Sequence, residues 1–155
     1  MRRLNIVLVE PEIPANTGNI ARTCAVTGTT LHLVRPLGFS TEDKYLKRAG
    51  LDYWDMVNIF YYESFQEVVE SHSEHSFYLA TTKAAKSYTE MLYEPGSFLV
   101  FGKETAGLSQ EILCSFPENQ IRIPMLKGAR SLNLGNSAAI ILYEALRQQG
   151  FQGLA

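Results

Sequence analysis

Three short segments of the chain carry residue types that could bind a ligand or do chemistry. NTGNIAR (16–22) joins small polar residues to an arginine, and FGKETAGLS (101–109) places a glutamate between two glycines. RSLNLGN (130–136) places a serine and two asparagines before a strongly apolar run. Glycine lets the backbone approach a ligand closely, amides and hydroxyls hydrogen-bond to it, and arginine orients a hydroxyl or phosphate with its planar set of donors. We therefore expect these segments to form a ligand site.

Each segment also has a purely structural interpretation. Asn16 or Thr17 could be the N-cap of a helix whose Arg22 is merely solvated. Glu104 could be a solvent-exposed residue between turn glycines. Asn133 or Asn136 could cap the apolar helix that follows, and capping does not exclude ligand binding. At the level of the residues alone, both interpretations stay open.

Two common nucleotide sites are disfavoured by the glycine spacing. Gly102 and Gly107 have the G-x-x-x-x-G spacing of a phosphate loop, but Leu108 and Ser109 stand where such a loop needs lysine and then serine or threonine. A nucleotide hydrolase of flavodoxin-like plan therefore lacks its phosphate cation. No G-x-G-x-x-G follows an apolar run, which disfavours a dinucleotide site of the Rossmann type.

The secondary-structure elements that position these segments are predicted strands and helices, which alternate along the chain. Six apolar runs rich in β-branched and aromatic residues predict strands, and segments of helical character separate them. This alternation predicts an α/β fold, a parallel or mostly parallel six-stranded sheet with helices on both faces. Ligands of such sheets bind outside the carboxyl ends of the strands, where the three segments stand. The expected strands are Leu4–Glu10, Thr30–Pro36, Met56–Tyr62, Ser76–Thr82, Ser97–Gly102 and Gln120–Met125.

Composition limits the class of protein. The 155 residues suffice for one core, so we predict a single domain, residues 1–155. The apolar runs are shorter than a membrane span, and the first residues reach acids and proline too soon for a secretory signal, which predicts a cytoplasmic protein. Cys24 and Cys114 lack the paired spacing of a metal site, so we expect no metal and two buried thiols. Residues 1–50 carry seven Lys/Arg against four Asp/Glu, which leaves a nucleic-acid partner possible.

The segment after Asn133 is apolar around the whole circumference of a helix. Ala138, Ile141, Leu142 and Tyr143 cannot all lie on one stripe, so the helix must be buried on more than one side. In so small a domain this predicts a homodimer. The alternative is a central helix buried within the monomer.

Together, and in this order, the three segments resemble the motifs of the SPOUT superfamily of RNA methyltransferases. The resemblance covers essentially the whole chain, and it implies a C-terminal trefoil knot, an obligate homodimer, and S-adenosylmethionine held bent between the knotted loops. The start EPEIPANTGNIAR (10–22) and the stretch RAGLDYW (48–54) are most similar to the small tRNA 2′-O-methyltransferases that act on a wobble cytidine or uridine. The expected activity is methylation of that ribose in a tRNA anticodon loop.

The resemblance also implies roles for individual residues. Arg22 would be the catalytic residue, and we favour orientation of the 2′-OH by its guanidinium, leaving the general base open because guanidinium rarely deprotonates. Lys44, Lys47 and Arg48 have the spacing of one helix face, which fits either a phosphate-binding patch or an ordinary solvated face. With Asn16 and Arg130 they are the candidates for contact with RNA. The cofactor pocket would be formed by Leu79, Thr81, Gly102, Glu104, Gly107, Ile123, Met125, Ser131, Leu132 and Asn133.

Two functions of different classes remain. One is the S-adenosylmethionine-dependent enzyme, and the other is a non-catalytic RNA-binding dimer that keeps the fold. The complete set of motifs favours the enzyme, because Arg22 and the run from Ser131 to Asn133 are both present.

Overall fold

The computed structural model describes residues 2–50 and 53–155 of the chain, which form one parallel sheet in the order β3-β2-β1-β6-β4-β7-β5. Every strand pair in it is parallel, so the predicted α/β class is confirmed. The strands are β1 (Asn5–Val9), β2 (Thr30–Val34), β3 (Ile59–Tyr62), β4 (Phe77–Ala80), β5 (Lys86–Ser87), β6 (Phe98–Phe101) and β7 (Gln120–Arg122).

The predicted number of six strands was wrong, because β5 is a seventh strand. It is only two residues long, Lys86 and Ser87, and it pairs with β7 at the edge of the sheet. A polar dipeptide has no apolar run to mark it, since an edge strand of this length is set by its neighbour rather than by its own side chains.

Helices connect the strands at the positions that the sequence indicates. Gly28 ends the first helix with φ of +70°, a left-handed conformation that favours glycine. In the described part of the chain the helices are α1 (Pro14–Thr27), α2 (Lys44–Gly50), α3 (Phe65–Ser71), α4 (Gln110–Cys114) and α5 (Leu134–Gln148), with short 3₁₀ turns at Trp54–Met56 and Tyr88–Glu90. No helix in the described residues is long and apolar enough to cross a membrane.

The sheet separates two hydrophobic clusters. Ile6 and Leu8 of β1 point to the face covered by α1 and α5, whereas Val7 and Val9 point to the face covered by α3 and α4. Successive side chains of a strand point to opposite faces, so a continuous apolar run fills both clusters. This explains why the central strands are apolar throughout.

Helix α5 is buried mainly within its own chain. Ile141 and Leu142 are 1% and 0% exposed in the cluster beside α1. Ile140 and Tyr143, on the other side of the helix, are 37% and 44% exposed. The monomer therefore accounts for most of the apolar circumference, and the homodimer remains a prediction that rests on the exposed side.

The two cysteines differ in their surroundings. Cys24 is buried in α1, and this burial raises the pKa of its thiol. Cys114, at the end of α4, is exposed, so the expectation that both thiols are buried was wrong for this residue. The short helix α4 turns Leu113 inward and leaves its neighbour in solvent.

Candidate functional site

A cavity of about 550 Å³ lies at the carboxyl ends of β4, β6 and β7. The loops after these three strands form its walls, and the first turns of α1 and α5 close it. This is the edge at which open parallel sheets bind their ligands, and the volume is that of a small-molecule site. Its lining includes Ile13, Asn16, Thr81, Lys83, Gly102, Glu104, Gly107, Arg122, Ile123, Met125, Arg130, Ser131, Leu132, Asn133 and Ile141.

The loop after β6 folds back tightly on itself. A Cβ at Gly102 would lie 2.1 Å from the carbonyl carbon of Gly107 and 2.2 Å from the amide nitrogen of Leu108. The amide of Gly107, at φ of +67°, donates to the carbonyl of Lys103 over 2.8 Å. The two glycines thus let two backbone segments touch each other, and the residues between them project as a rigid turn beside the cavity.

That turn aims Glu104 at the first turn of α1. The N-cap of α1 is Ile13, a residue with no side-chain acceptor, so the predicted capping by Asn16 or Thr17 was wrong. Glu104 supplies the acceptors instead: Oε1 accepts from the amide of Glu12 and Oε2 from the amide of Ile13, both over 2.8 Å. A carboxylate at the amino end of a helix satisfies orphan N–H groups and interacts favourably with the helix dipole.

Two asparagines join the starts of α1 and α5. Asn16 Nδ2 donates to Glu104 Oε2 over 3.1 Å, and Asn16 Oδ1 accepts from Asn133 Nδ2, also over 3.1 Å. Asn133 is also the N-cap of α5, because its Oδ1 accepts from the amide of Asn136 over 3.1 Å. Asn133 therefore caps α5 and also forms part of the site. Asn133 rather than Asn136 is the cap.

The carboxylate of Glu12 makes the reverse contact, from the residues before α1 to the loop after β6. Glu12 Oε1 accepts from the amide of Thr105 over 3.0 Å and from its hydroxyl over 2.8 Å. The backbone hydrogen bond from Thr105, and then the hydroxyl, hold the pKa of Glu12 below its ordinary value. Neither residue is marked in the sequence, because a pairing of two polar side chains 93 positions apart leaves no local pattern.

Comparison with known proteins agrees with this geometry. The model of the SpoU rRNA methylase family matches residues 3–143. The chain belongs to this family.

Individual relatives resemble the chain over nearly its full length. The tRNA (cytidine(34)-2′-O)-methyltransferase of Methylovorus glucosotrophus is 51% identical over 96% of the chain and 97% of its own length. A solved structure that addresses 2-OH methylation of C/U34 on tRNA has a TM-score of 0.92 at 41% identity, covering 96% of this chain and 97% of that one. The SpoU methyltransferase AviRb of Streptomyces viridochromogenes, solved in complex with AdoMet, has a TM-score of 0.85 at 26% identity and covers 96% of this chain and 58% of that one.

Nine of the ten residues expected at a methylase cofactor pocket line the cavity. The tenth, Leu79, lies fully buried in the cluster that also contains Val100. Strand alternation explains the difference, since the neighbouring Ala80 is on the opposite face and does line the cavity. The nine are Thr81, Gly102, Glu104, Gly107, Ile123, Met125, Ser131, Leu132 and Asn133.

The residues expected to meet RNA fall into two groups. Asn16 and Arg130 line the cavity, together with the cations Lys83 and Arg122, which sequence analysis did not single out as a group. Lys44, Lys47 and Arg48 lie on α2, which packs against α1. The charge of Lys47 is partly offset, because its Nζ donates to Glu42 Oε2 over 2.8 Å.

Arg22 lies on the exposed side of α1, away from the cavity of its own chain. Its guanidinium stacks over the ring of Tyr53, 4.7 Å from the ring centroid. Arg22 follows Asn16 by six residues, about 9 Å along the helix axis and on another side of the helix. Arg22 is not among the residues that line the cavity of its own chain.

Proposed function

We propose that this chain is a tRNA methyltransferase that transfers a methyl group from S-adenosylmethionine to the ribose 2′-OH of nucleotide 34, a cytidine or uridine. The observation that carries the proposal is the cavity at the carboxyl edge, built by all three motif segments of a SpoU-family chain. Relatives that match nearly the whole chain bear the name of this activity.

The lining of the cavity fits the chemistry of S-adenosylmethionine. Ile123, Met125 and Leu132 offer an apolar slot for an adenine ring, and backbone groups of the glycine turn are close by. Ser131 adds a hydroxyl that can donate or accept. When bound, the cofactor supplies a methyl group on a sulfonium, and no metal is required for its displacement. Among the described residues, no group of acidic, histidine or cysteine side chains could hold a metal ion.

Glu104 has a different role in this proposal from that of a direct cofactor ligand. Both of its oxygens already accept from backbone amides directly before α1, those of Glu12 and Ile13, and Oε2 also accepts from Asn16. We propose that it holds the turn and α1 in the arrangement that shapes the pocket, as a positioning residue.

The protein is proposed to act as a homodimer through the exposed side of α5. Asn136, Ile140, Tyr143 and Arg147 recur every three or four residues and form one exposed face of this helix. A second copy that covers Ile140 and Tyr143 would remove this apolar pair from water. In a dimer, Arg22 of one copy can serve the cavity of the other, which resolves its distance from its own cavity. There its planar donors would orient the ribose hydroxyl and an adjacent phosphate.

The knot, the single domain over residues 1–155 and the cytoplasmic location belong to the same proposal. The knot is supported by the family match over residues 3–143, because the resemblance to this superfamily implies it. The single domain is supported by one sheet that contributes to both hydrophobic clusters. The location follows from tRNA as the substrate.

The direct test measures binding and product separately. Titration calorimetry with S-adenosylmethionine is expected to show binding, and mass mapping of incubated tRNA is expected to locate a methyl group on the ribose of nucleotide 34. Leu132→Trp should weaken cofactor binding, because a larger ring overfills the lining, while the untouched α5 keeps the dimer. Cofactor binding with no methylated product on any tRNA would favour the non-catalytic RNA-binding dimer.

The role of Arg22 is tested by mixing two inactive variants. Arg22→Ala should keep cofactor affinity and lose methyl transfer by a factor of about 100 or more, and Arg22→Lys should rescue poorly because an ammonium lacks the planar fork. Mixed dimers of Arg22→Ala with Leu132→Trp should regain activity, since one intact cavity then meets one intact arginine. Mixed dimers that stay inactive would place Arg22 with its own cavity or outside the chemistry.

The dimer face is tested by two neighbouring charges on α5. Ile140→Glu combined with Tyr143→Glu should give a folded monomer, because both side chains are exposed in the single chain. Ile141→Glu should instead unfold the protein, because it places an unpaired charge in the core. Sedimentation and circular dichroism distinguish the two results, and a fully dimeric double variant would exclude this face.

A further inference from the structure

A second cavity of about 530 Å³ lies at the carboxyl ends of β2 and β3. It is distinct from the first, which lies at the ends of β4, β6 and β7. Its walls come from the connection that leaves β2 and from one residue of β3. The lining residues are Arg35, Pro36, Leu37, Phe39, Thr41 and Tyr61.

The lining offers the flat faces of aromatic rings and of a guanidinium whose charge is paired. The guanidinium of Arg35 lies over the ring of Tyr61, 4.9 Å from the ring centroid, and its Nη1 is 3.1 Å from Glu63 Oε1. Glu63 holds the guanidinium plane and partly offsets its charge. Burial raises the pKa of the Tyr61 phenol, and Phe39 adds a second half-buried ring. Aromatic rings and guanidinium planes are the surfaces on which unstacked nucleobases stack.

One short segment connects the two cavities. The amide of Gly38 donates to the carbonyl of Pro11 over 2.9 Å, and a Cβ at Gly38 would lie 2.8 Å from the Cα of Glu12. Glu12 in turn binds Thr105, which lines the first cavity. Strand β1 alone separates β2 from β6, so the nearest strands of the two sites are two strand spacings apart, on the order of 10 Å.

We propose that this second cavity holds a nucleobase of the RNA next to the methylated nucleotide, by stacking on Phe39 and on the Arg35–Tyr61 pair. The inference rests on the proposed function, which makes RNA the substrate. The lining residue Thr41 precedes Lys44, the first residue of the basic helix α2, by three positions, so the cavity adjoins the start of that helix. An RNA that contacts both α2 and the first cavity is therefore within reach of it. Base stacking also suits the offset charge of Arg35, which makes this a weaker place for a phosphate.

The test pairs a protein variant with an RNA lacking one base. The RNA is an anticodon stem-loop, used intact and with an abasic nucleotide at each loop position in turn, and binding is measured with S-adenosylmethionine present. With the natural chain, an abasic nucleotide at one position beside nucleotide 34 should weaken binding about tenfold or more. Phe39→Ala should weaken binding of the intact RNA by a similar factor, and it should lose nothing further with that abasic RNA, because both changes remove the same contact.

Controls keep the result specific. Phe60→Ala removes an aromatic ring that is exposed on β3 but outside this cavity, and it should leave RNA affinity unchanged. Arg35→Ala alters an exposed side chain and should show the same coupling as Phe39→Ala, which guards against a folding defect in one variant. Cofactor affinity and melting temperature should stay those of the natural chain in both.

Three results would overturn the inference. One is equal affinity of the natural chain for every abasic RNA near nucleotide 34. Another is a loss in Phe39→Ala that adds to the abasic loss at every position. The third is a change of oligomeric state in Phe39→Ala, which would make the cavity a contact between copies. Methylation of the intact stem-loop by the natural chain is a separate readout, so failure of the proposed function is seen independently.

Discussion

Helices α1 and α5 lie side by side on one face of the sheet, yet they begin in different ways. Helix α5 is capped by Asn133, the residue directly before it, and buries Ile141 and Leu142. Helix α1 begins after Ile13 and obtains its acceptors from Glu104, about 90 positions away. The start of α5 is thus a local property of its sequence, whereas the start of α1 depends on the turn that forms the cavity wall. A substitution that distorts the turn should therefore destabilise the start of α1 and leave α5 unchanged.

The largest expected effect comes from Gly102→Ala. The added Cβ would overlap the backbone of Gly107 and Leu108, so the turn must open and carry Glu104 away from α1. We expect methyl transfer to fall by a factor of about 100 or more, since misplacing a site by about 1 Å costs that much. Hydrogen exchange should show lost protection at the first turn of α1 and unchanged protection in α5. Gln110→Ala, at an exposed position just after the same turn and outside the cavity lining, is the matched control and should behave like the natural chain.

Glu104→Ala tests the cap of α1 without opening the turn. Two amides lose their acceptor, so the free energy of unfolding should fall by about 2 kcal/mol, measured by urea denaturation. Methyl transfer should fall with it, because Asn16 also loses a partner. Glu111→Ala, in the exposed first turn of α4, removes the same charge and should change neither quantity. Natural stability in Glu104→Ala would refute the tertiary cap.

Asn133→Ala tests the local cap of α5. The loss should be about 1 kcal/mol, the usual cost of removing an N-cap side chain. Asn133→Ser keeps a capping oxygen and removes the amide that donates to Asn16, so it should retain more stability than the alanine variant. Asn136→Ala is the control, because Asn136 takes part in the cap through its backbone amide. An equal loss in Asn133→Ala and Asn136→Ala would contradict the assignment.

The smallest expected effect is a partial recovery of stability when α1 is given a local N-cap like that of α5. Ile13→Ser in the Glu104→Ala background gives α1 an N-cap of its own, and it should restore about 0.5 to 1 kcal/mol of stability. Methyl transfer should stay low, because the turn is no longer held to the helix. Thermal melting and single-turnover methylation measure the two quantities. A simultaneous return of activity would mean that Glu104 acts only by capping.

Most of the fold can be predicted from the sequence, because its central strands are apolar runs. The exception is β5, whose Lys86 and Ser87 take strand geometry from β7 rather than from their own side chains. The burial of α5 was attributed to a partner, but the clusters on one face of the sheet cover most of it. Which side of an apolar helix faces its own core depends on neighbours that are distant in sequence.

The parts of the candidate site that lie in the sequence motifs can be predicted from the sequence. The glycine turn and the run from Ser131 to Asn133 carry small polar residues that mark a ligand loop before the structure is known. The face of Leu79 depends on the register of a buried strand, which a continuous apolar run does not indicate. The pairing of Glu12 with Thr105 and the second cavity depend on long-range packing, so no spacing in the sequence indicates them.

The hydrogen bond between Asn16 and Asn133 joins residues 117 positions apart, and this has a consequence for synthesis. A chain emerging from the ribosome has all of α1 long before the turn with Glu104 appears, and it receives Asn133 later still. Contacts of such high sequence separation form late, because the intervening loop must close first. The methyl-donor cavity is consequently one of the last features to be completed. A nascent chain that has just finished β4 has neither Glu104 nor Asn133, and so it lacks both partners of the Asn16 side chain.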